Sequence, residues 1–163
     1  MRMDKLTNQL QSALADAQSL AVGRDHQTIE PTHVLKALLE QQGGATRPLL
    51  QKAGATLGTL TQAVDAAFEH LPTIGNPAGD VHLSQDCIRL FNRVDKLAQE
   101  RKDAYLSSEL VLLAMLDKAS PLATLLTQAG VTQGNLSQAI NDVRGGDNIE
   151  AADAGETRQA LDK

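Results

Sequence analysis

The sequence predicts an all-α, single compact domain in which eight helices form a pseudo-twofold tandem repeat of two four-helix units. Three observations support this class. Leu and Ala supply 48 of the 163 residues while Ile and Val supply 13, so the apolar side chains belong mainly to good helix formers rather than to β-branched residues. The apolar positions recur with the period of a helix. The chain also resembles itself after a shift of 76 or 77 residues, which indicates an internal duplication.

The duplication sets the domain boundaries. Repeat one covers about residues 6–71 and repeat two about residues 83–144, and a Pro- and Gly-rich stretch separates them. Because a unit of this size buries only a marginal core, we expect both repeats to pack into one domain over residues 1–144. A shift of 77 aligns residues 6–42 with 83–119 and gives 8 identities in 37 positions. A shift of 76 aligns residues 48–67 with 124–143 and gives 9 identities in 20 positions.

An apolar stripe with the spacing i, i+3, i+4, i+7 predicts the first helix of each repeat. Thr7 and Ser84 stand at matching positions before these helices and are suited to cap them through a side-chain oxygen. Leu83 and Ile88 have the spacing of a hydrophobic staple, and Gly23 ends the helix of repeat one. The two stripes share one register: Leu10, Ala13, Leu14, Ala17, Leu20 and Ala21; Cys87, Leu90, Phe91, Val94, Leu97 and Ala98.

Start and stop signals predict three more helices in each repeat. The second helix begins at Pro31, which suits a first turn, and ends near Gly43; its counterpart begins after Ser107 or Ser108. The third helix is short and ends at an Ala-Gly pair in both repeats. The fourth helix again has an apolar stripe. In repeat one the pair is Ala53-Gly54 and the stripe is Leu60, Ala63, Val64 and Ala67. In repeat two the pair is Ala129-Gly130 and the stripe is Leu136, Ala139, Ile140 and Val143.

Residues 145–163 have a different composition from the repeats. They begin with two glycines and hold five acidic against two basic residues. Ile149 and Leu161 are their only large apolar side chains, so we expect little contribution to a core. This segment is predicted to be a flexible acidic linker.

Composition excludes several classes of partner. The net charge is −5 and no basic cluster is present, so the chain lacks the positive field with which proteins bind nucleic acid. No apolar run approaches a membrane span, and the amino terminus has no hydrophobic signal core. The single cysteine, Cys87, excludes an internal disulfide. These features predict a cytoplasmic domain with neither nucleic-acid nor membrane partners.

No catalytic motif appears, so the chain is predicted to be a binding domain rather than an enzyme. It has no phosphate-binding G-x-x-x-x-G-K-[ST] loop, no G-x-S-x-G nucleophile elbow and no H-E-x-x-H pair. Cys87 lies on the apolar stripe, which favours a packing thiol over a nucleophile. His26 and His33 are close enough in sequence to meet, but surface positions or helix caps are favoured over a metal site. We expect no cofactor and no metal in this chain.

The two repeats differ in polarity at matching positions of their first and second helices. Leu110 takes the place of His33, and Leu113 takes the place of Lys36. Ile88 likewise takes the place of Gln11. Two interpretations stay open: an exposed apolar patch that binds another protein, or ordinary core at the interface between the repeats. Asp103 and Glu109 flank this helix and would set polar groups beside the patch, although each alone also fits a plain turn or first-turn residue.

The chain resembles the amino-terminal domain of the ClpB disaggregases, a family of bacterial AAA+ proteins. The resemblance covers essentially the whole chain. It implies a double Clp-repeat domain that is joined by the linker to a hexameric ring using ATP and Mg²⁺, in a protein that works with an Hsp70-type chaperone system. The sequence segments that support the resemblance are DKLT at 4–7, ADAQSLA at 15–21, IEP at 29–31, GDV at 79–81, SQD at 84–86, DKLA at 95–98, SSEL at 107–110 and RQAL at 158–161.

The resemblance also implies a function and a site. The domain would bind exposed hydrophobic segments of unfolded or aggregated client proteins and deliver them to the ring; the alternative is docking of a folded adaptor, as in protease-linked unfoldases. The polar site residues would be Thr7, Asp103 and Glu109. The apolar groove would be formed by Phe91, Leu97 and Leu110, and the comparison of repeats adds Leu113.

Two positions qualify this assignment. Arg93 stands where some relatives have an apolar residue, so the edge of the groove is expected to be more polar. Relatives that capture phosphoarginine match at Glu109 but have an acid where this chain has Thr32, which argues against that activity here. Thr7 has a second explanation as a plain helix cap.

Overall fold

The computed structural model describes residues 3–74, 81–145, 149 and 152. Within these residues the chain forms eight α-helices, four in each repeat, which confirms the predicted all-α class. The linker residues other than 145, 149 and 152, and residues 75–80, lie outside the described part. The helices are α1 (Asn8–Gly23), α2 (Pro31–Glu40), α3 (Thr46–Lys52) and α4 (Leu57–Glu69), then α5 (Gln85–Arg101), α6 (Ser108–Ala114), α7 (Ala123–Gln128) and α8 (Gln133–Arg144).

Side-chain caps begin the helices where the sequence predicts them. The Thr7 hydroxyl accepts the N–H of Leu10 at 3.3 Å, and the Ser84 hydroxyl accepts the N–H of Cys87 at 3.1 Å. Ser107 caps α6, which decides between the two predicted starting points of that helix. Each hydroxyl satisfies an N–H that has no carbonyl partner within the first turn, so these caps are confirmed.

A pairing that the sequence did not predict ties the repeats together. Two short strands, β1 (Thr28–Ile29) and β2 (His82–Leu83), pair in parallel. Leu6 and Leu106 form the matching parallel bridge. Under the 77-residue shift Leu6 corresponds to Leu83 and Ile29 to Leu106, so the segment leading into each repeat pairs with a loop of the other repeat. The repeats are therefore intertwined rather than placed side by side.

A second contact joins the repeats near their third and fourth helices. The α3 helix packs on α8 and α4 packs on α7. The N–H of Thr56 donates to the carbonyl of Ala129 at 3.0 Å, beside Gly54 and Gly130. A Cβ at Gly130 would lie 3.0 Å from the Gly54 carbonyl oxygen, so the close approach of the two backbones depends on glycine there. Most of the buried apolar residues of both repeats form a single core cluster.

The chain does not leave the domain at Arg144. Ile149 is 1% exposed, and its carbonyl accepts the N–H groups of Ala104 at 2.7 Å and Tyr105 at 3.3 Å. The carbonyl of Ala152 accepts the N–H of Asn8 at 2.8 Å. Ile149 is thus buried and bonded to the domain, although it lies outside the main core cluster, and the folded part includes both residues. Hydropathy alone missed it because one apolar residue in an acidic segment gives no periodic signal.

Repeat one shows the same arrangement at its end. Thr73 forms an antiparallel bridge with His26, and the N–H of Ile74 donates to the carbonyl of Asp25 at 2.9 Å. Thr73 corresponds to Ile149 under the 76-residue shift. The return of the chain after the fourth helix is thus a property of the repeat. Among the described helices, none is long and apolar enough to cross a membrane.

Candidate functional site

A groove with a volume of about 560 Å³ opens between α5, β2 and the segment before α1. Ile88 in this groove is 41% exposed; among the described large apolar side chains, only it and Val22 are prominently exposed. When a ligand covers such a side chain on a concave surface, the free energy falls because apolar area is removed from water. The lining is apolar at Leu83, Ile88, Phe91 and Leu106 and polar at Lys5, His82, Asn92 and Asp95.

The local sequence explains why the groove lies on repeat two. The Ser84 cap starts α5 so that Leu83, just before it, and Ile88, one turn into the helix, both line the groove. In repeat one the position of Ile88 is held by Gln11. Its side-chain amide donates to the Leu6 carbonyl at 3.0 Å, so a hydrogen-bonded polar group takes the place of the exposed apolar one.

The structure places only one of the four predicted apolar site residues in this groove. Phe91 lines the groove, although only 3% of its surface is exposed to solvent. Leu110 is 0% exposed and Leu113 is 7% exposed, so the exposed-patch interpretation of these two residues is wrong. They belong to the common core, the other interpretation left open by the sequence. Leu97 is partly buried and packs against that core.

Sequence reasoning missed several residues that do line the groove. Leu83 and Leu106 belong to segments whose pairing is set by the tertiary fold, and Lys5 comes from the far end of the chain. One feature of the sequence did indicate the groove: Ile88 takes the place of Gln11. Of the three apolar replacements in repeat two, it is the one that stays exposed.

Asp103 and Glu109 lie together, but around a buried arginine rather than at the rim of the groove. The guanidinium of Arg144 is within 3.0 Å of Asp103 Oδ2, and its Nη1 donates to Asp103 Oδ1 at 3.2 Å. Its Nε donates to Glu109 Oε2 at 3.2 Å. The side chains of Arg144 and Asp103 are 3% and 0% exposed. The expected rim position is therefore wrong, because the pair needs a buried cation that the sequence pattern did not reveal.

Thr7 also acts on the groove indirectly. It is 5% exposed, and its backbone N–H donates to the Leu106 carbonyl at 3.0 Å. Asp103 lies at the other end of the same loop, whose Leu106 side chain lines the groove. Thr7 thus bonds to the loop that forms one wall of the groove and Asp103 lies at the start of that loop, but neither they nor Glu109 are part of the groove's described lining.

In repeat one, the region that corresponds to the Arg144 cluster of repeat two contains a pair of histidines, His26 and His33. The N–H of Glu30 donates to His33 Nδ1 at 2.8 Å, so His33 Nε2 carries the proton and donates to His26 Nδ1 at 2.8 Å. Phe68 packs on both rings. Burial lowers the pKa of His33 to about 4, and burial followed by the charge of Arg24 lowers the pKa of His26. The predicted capping role holds for His33, whereas the predicted surface position is wrong for both.

The described side chains hold no group of three or more His, Cys, Asp or Glu residues placed to bind a metal. Cys87 is buried, as its place on the apolar stripe predicted. Burial raises the pKa of its thiol to about 12, which leaves the sulfur protonated and unreactive at neutral pH.

Residues 5–143 match the sequence model of the Clp repeat (R) N-terminal domain. The chain belongs to this family. Over its whole length this Clp repeat domain is 53% identical to the chaperone protein ClpB of Pseudomonas putida, of which it covers 19%. The chain therefore spans about a fifth of the length of that relative. The resemblance seen in the sequence is confirmed.

Solved structures support the same fold. The N-terminal domain of Hsp104 from Candida albicans superposes with a TM-score of 0.82 at 20% identity, covering 93% of this chain and 99% of that one. A ClpV N-domain in complex with a VipB peptide superposes with a TM-score of 0.70 at 24% identity, covering 88% and 89%. The two-repeat architecture is thus the fold of these Hsp104 and ClpV N-domains.

Proposed function

We propose that this Clp repeat domain docks exposed hydrophobic segments of unfolded or aggregated polypeptides in the groove beside α5, as part of a ClpB-type disaggregase. The observation that carries the proposal is the exposed Ile88, which lines a concave surface together with Phe91. Because Ile88 is 41% exposed, covering the rest of it contributes about 0.6–1.2 kcal/mol, a fraction of the roughly 1.5–3 kcal/mol for burying a fully exposed side chain of this size. Since Ile88 is the prominently exposed member of the apolar lining, client binding is expected to be weak and reversible, which suits handing a client onward.

The groove also has polar groups for a peptide backbone or a charged client residue. Lys5 and His82 lie on its walls together with Asn92 and Asp95. An apolar floor provides affinity for many sequences, and a few hydrogen-bonding groups orient the chain. This combination favours short apolar segments that become exposed only when a client unfolds.

The remaining steps of disaggregation are assigned to the rest of a longer protein. This chain has no phosphate-binding loop, so ATP and Mg²⁺ would bind elsewhere in the parent protein. We propose that the parent forms a homo-hexameric ring in the cytoplasm, receives the client from this domain and works with an Hsp70-type partner. The domain itself binds and does not catalyse.

The test is an NMR titration of the ¹⁵N-labelled 163-residue chain with reduced, carboxymethylated α-lactalbumin, which is permanently unfolded. We expect the largest amide shifts at Leu83, Ile88 and Leu106. Ile88→Gln, which installs the side chain found at this position in repeat one, should weaken binding at least fivefold. The matched control is Val22→Gln, because Val22 is 55% exposed but does not line the groove. Shifts confined to repeat one would contradict the proposal.

A second candidate is docking of a folded adaptor protein through one defined segment, as in protease-linked unfoldases. It is favoured by the superposition on a ClpV N-domain that is complexed with one defined peptide. This function predicts saturable binding of a folded adaptor and little response to an unfolded chain. Competition between the two ligands for the same labelled domain distinguishes the candidates.

A further inference from the structure

Arg144, the last residue of α8, occupies a buried position that repeat one fills in a different way. Under the two repeat shifts, Arg144 corresponds to Phe68, Asp103 to His26 and Glu109 to Thr32. The same architecture is therefore built once around an aromatic ring and once around an ion cluster. Buried ion pairs often contribute less stability than apolar packing of similar volume. The cluster in repeat two thus calls for a role that repeat one lacks.

The cluster connects two parts of the chain that are distant in sequence. Oδ1 of Asp103 accepts hydrogen bonds from Arg144 and from the N–H of Ile149, the latter at 3.0 Å. The carbonyl of Ile149 in turn accepts the N–H groups of Ala104 and Tyr105. The chain that leaves α8 is therefore fastened to the start of the loop that ends at Leu106.

The same loop forms one wall of the groove. The N–H of Leu106 donates to the carbonyl of Lys5 at 2.8 Å, and both side chains line the groove. On the other side of this pairing, the carbonyl of Ala152 accepts the N–H of Asn8. Ile149 thus bonds to the residues just before Leu106, and Ala152 bonds to a residue shortly after Lys5. Neither Ile149 nor Ala152 lines the groove.

We propose that Arg144 is a positioning residue for client binding: with Asp103 and Glu109 it holds the wall at Leu106 and ties it to the departing chain at Ile149, so that groove occupancy and docking of Ile149 favour each other. This inference rests on the proposed client-docking function. Because linkage is reciprocal, a client that orders the wall must also stabilise the docked chain by the same factor. The domain thereby reports occupancy to the chain that leads out of it.

The experiment uses the ¹⁵N-labelled 163-residue chain with carboxymethylated α-lactalbumin as the probe. It measures both client affinity and amide hydrogen exchange at Ile149 and Ala104. In the unsubstituted chain, saturation with client should slow exchange at both amides by roughly fivefold or more. Arg144→Gln should weaken client binding by a similar factor, speed exchange at Ile149 without client, and remove the response to client. Arg144→Lys should restore part of each effect.

Two further variants keep the test decisive. Asp103→Asn retains the size and Oδ1 acceptor of the side chain but loses its charge, so it carries the same three readouts if Arg144→Gln does not fold. Arg101→Gln is the matched control, because Arg101 donates from the end of α5 to Asn141 of α8 and its hydrogen bond involves neither Asp103 nor Glu109. This control should keep both the affinity and the exchange response.

The outcomes separate this inference from the function on which it rests. If Arg144→Gln folds, binds client with unchanged affinity and still slows exchange at Ile149 on binding, the positioning role is overturned while client docking stands. If the unsubstituted chain does not bind the client, both are overturned. If Arg101→Gln loses the response as fully as Arg144→Gln, the effect reflects general weakening of α8 and the inference fails.

Discussion

The N–H of Thr7 donates to the carbonyl of Leu106 at 3.0 Å, across the boundary between the two repeats. The hydroxyl of the same residue accepts the N–H of Leu10 at 3.3 Å. One residue thus caps α1 and closes the pairing that forms a wall of the groove. Ser84 repeats the relationship, since its N–H donates to the carbonyl of Ile29 at 3.0 Å.

Replacing the Thr7 hydroxyl should lower stability rather than remove a client contact. Thr7→Ala leaves the Leu10 N–H without its acceptor and should reduce the free energy of unfolding by about 1 kcal/mol. Ser84→Ala should have a similar effect at the matching cap, and Thr7→Ser should preserve stability. Urea denaturation followed by circular dichroism measures all three. Unchanged melting together with unchanged client binding for Thr7→Ala would remove Thr7 from the site altogether.

Leu110 and Ile88 should respond to substitution in opposite ways. Leu110 is fully buried, so Leu110→Ala leaves a cavity and should reduce the free energy of unfolding by about 2–5 kcal/mol. Ile88→Gln changes an exposed side chain and should stay within about 0.5 kcal/mol of the original stability while weakening client binding. Chemical denaturation and client titration of both variants test the pair. A stable Leu110→Ala protein with a specific binding defect would return Leu110 to the site.

Gly54 and Gly130 provide a matched pair for the contact between the repeats. Both have φ of +101°, so an alanine at either position is strained by on the order of 1–3 kcal/mol. At Gly130 the new Cβ would also lie 3.0 Å from the Gly54 carbonyl oxygen, whereas at Gly54 it would meet no atom within 4 Å. Gly130→Ala should therefore be the more destabilising of the two. Equal unfolding free energies would show that the backbones separate at no cost.

Acid should destabilise the domain through the histidine pair. The pKa of His33 is about 4 in the folded chain and about 6.5 in an unfolded one, so the unfolded state binds more protons between these values. Stability contributed by neutral His33 is present in full above pH 6.5 and is lost as the pH falls toward 4. At about 1.4 kcal/mol per unit, the loss is on the order of 3 kcal/mol.

The pH test compares the chain with a His33→Leu variant, which takes the side chain of the matching position in repeat two. The groups that act on the pair are the Phe68 ring, the carboxylates of Asp25, Glu30 and Glu69, and the Arg24 cation. The variant loses the acceptor for the Glu30 N–H and starts from lower stability, but its unfolding free energy should fall less steeply from pH 6.5 to 4. If the unfolding free energies of the two proteins fall equally steeply with decreasing pH, His33 is not the source of the acid destabilisation.

The elements that were predicted correctly are those that local interactions decide. Thr7, Ser84 and the Ala-Gly pairs act on N–H and carbonyl groups within one turn, so their effect can be read from neighbouring residues. The apolar stripes indicate which face of each helix is buried. The burial of Cys87 followed from the same periodicity, because its place in the stripe matches that of Leu10.

The candidate site was predicted less completely, and the reason is physical. Leu110 and Ile88 both replace polar residues of repeat one, but a pattern of residues does not state which apolar side chain another element will cover. Burial of Leu110 depends on the helices that pack around α6, and exposure of Ile88 depends on the groove beside it. Arg144 looks like an ordinary basic residue at a helix end until the fold brings Asp103 within 3.0 Å.

By itself, then, the sequence determined the eight helices, their caps, the duplication and the family to which the chain belongs. Only the tertiary structure decided how the repeats interlock through Leu6 with Leu106 and Ile29 with Leu83, and which chain segment closes over Asp103. These contacts join residues far apart in the chain. Their free energy comes from burial and hydrogen bonding that exist only after both repeats have packed, so no local pattern encodes them.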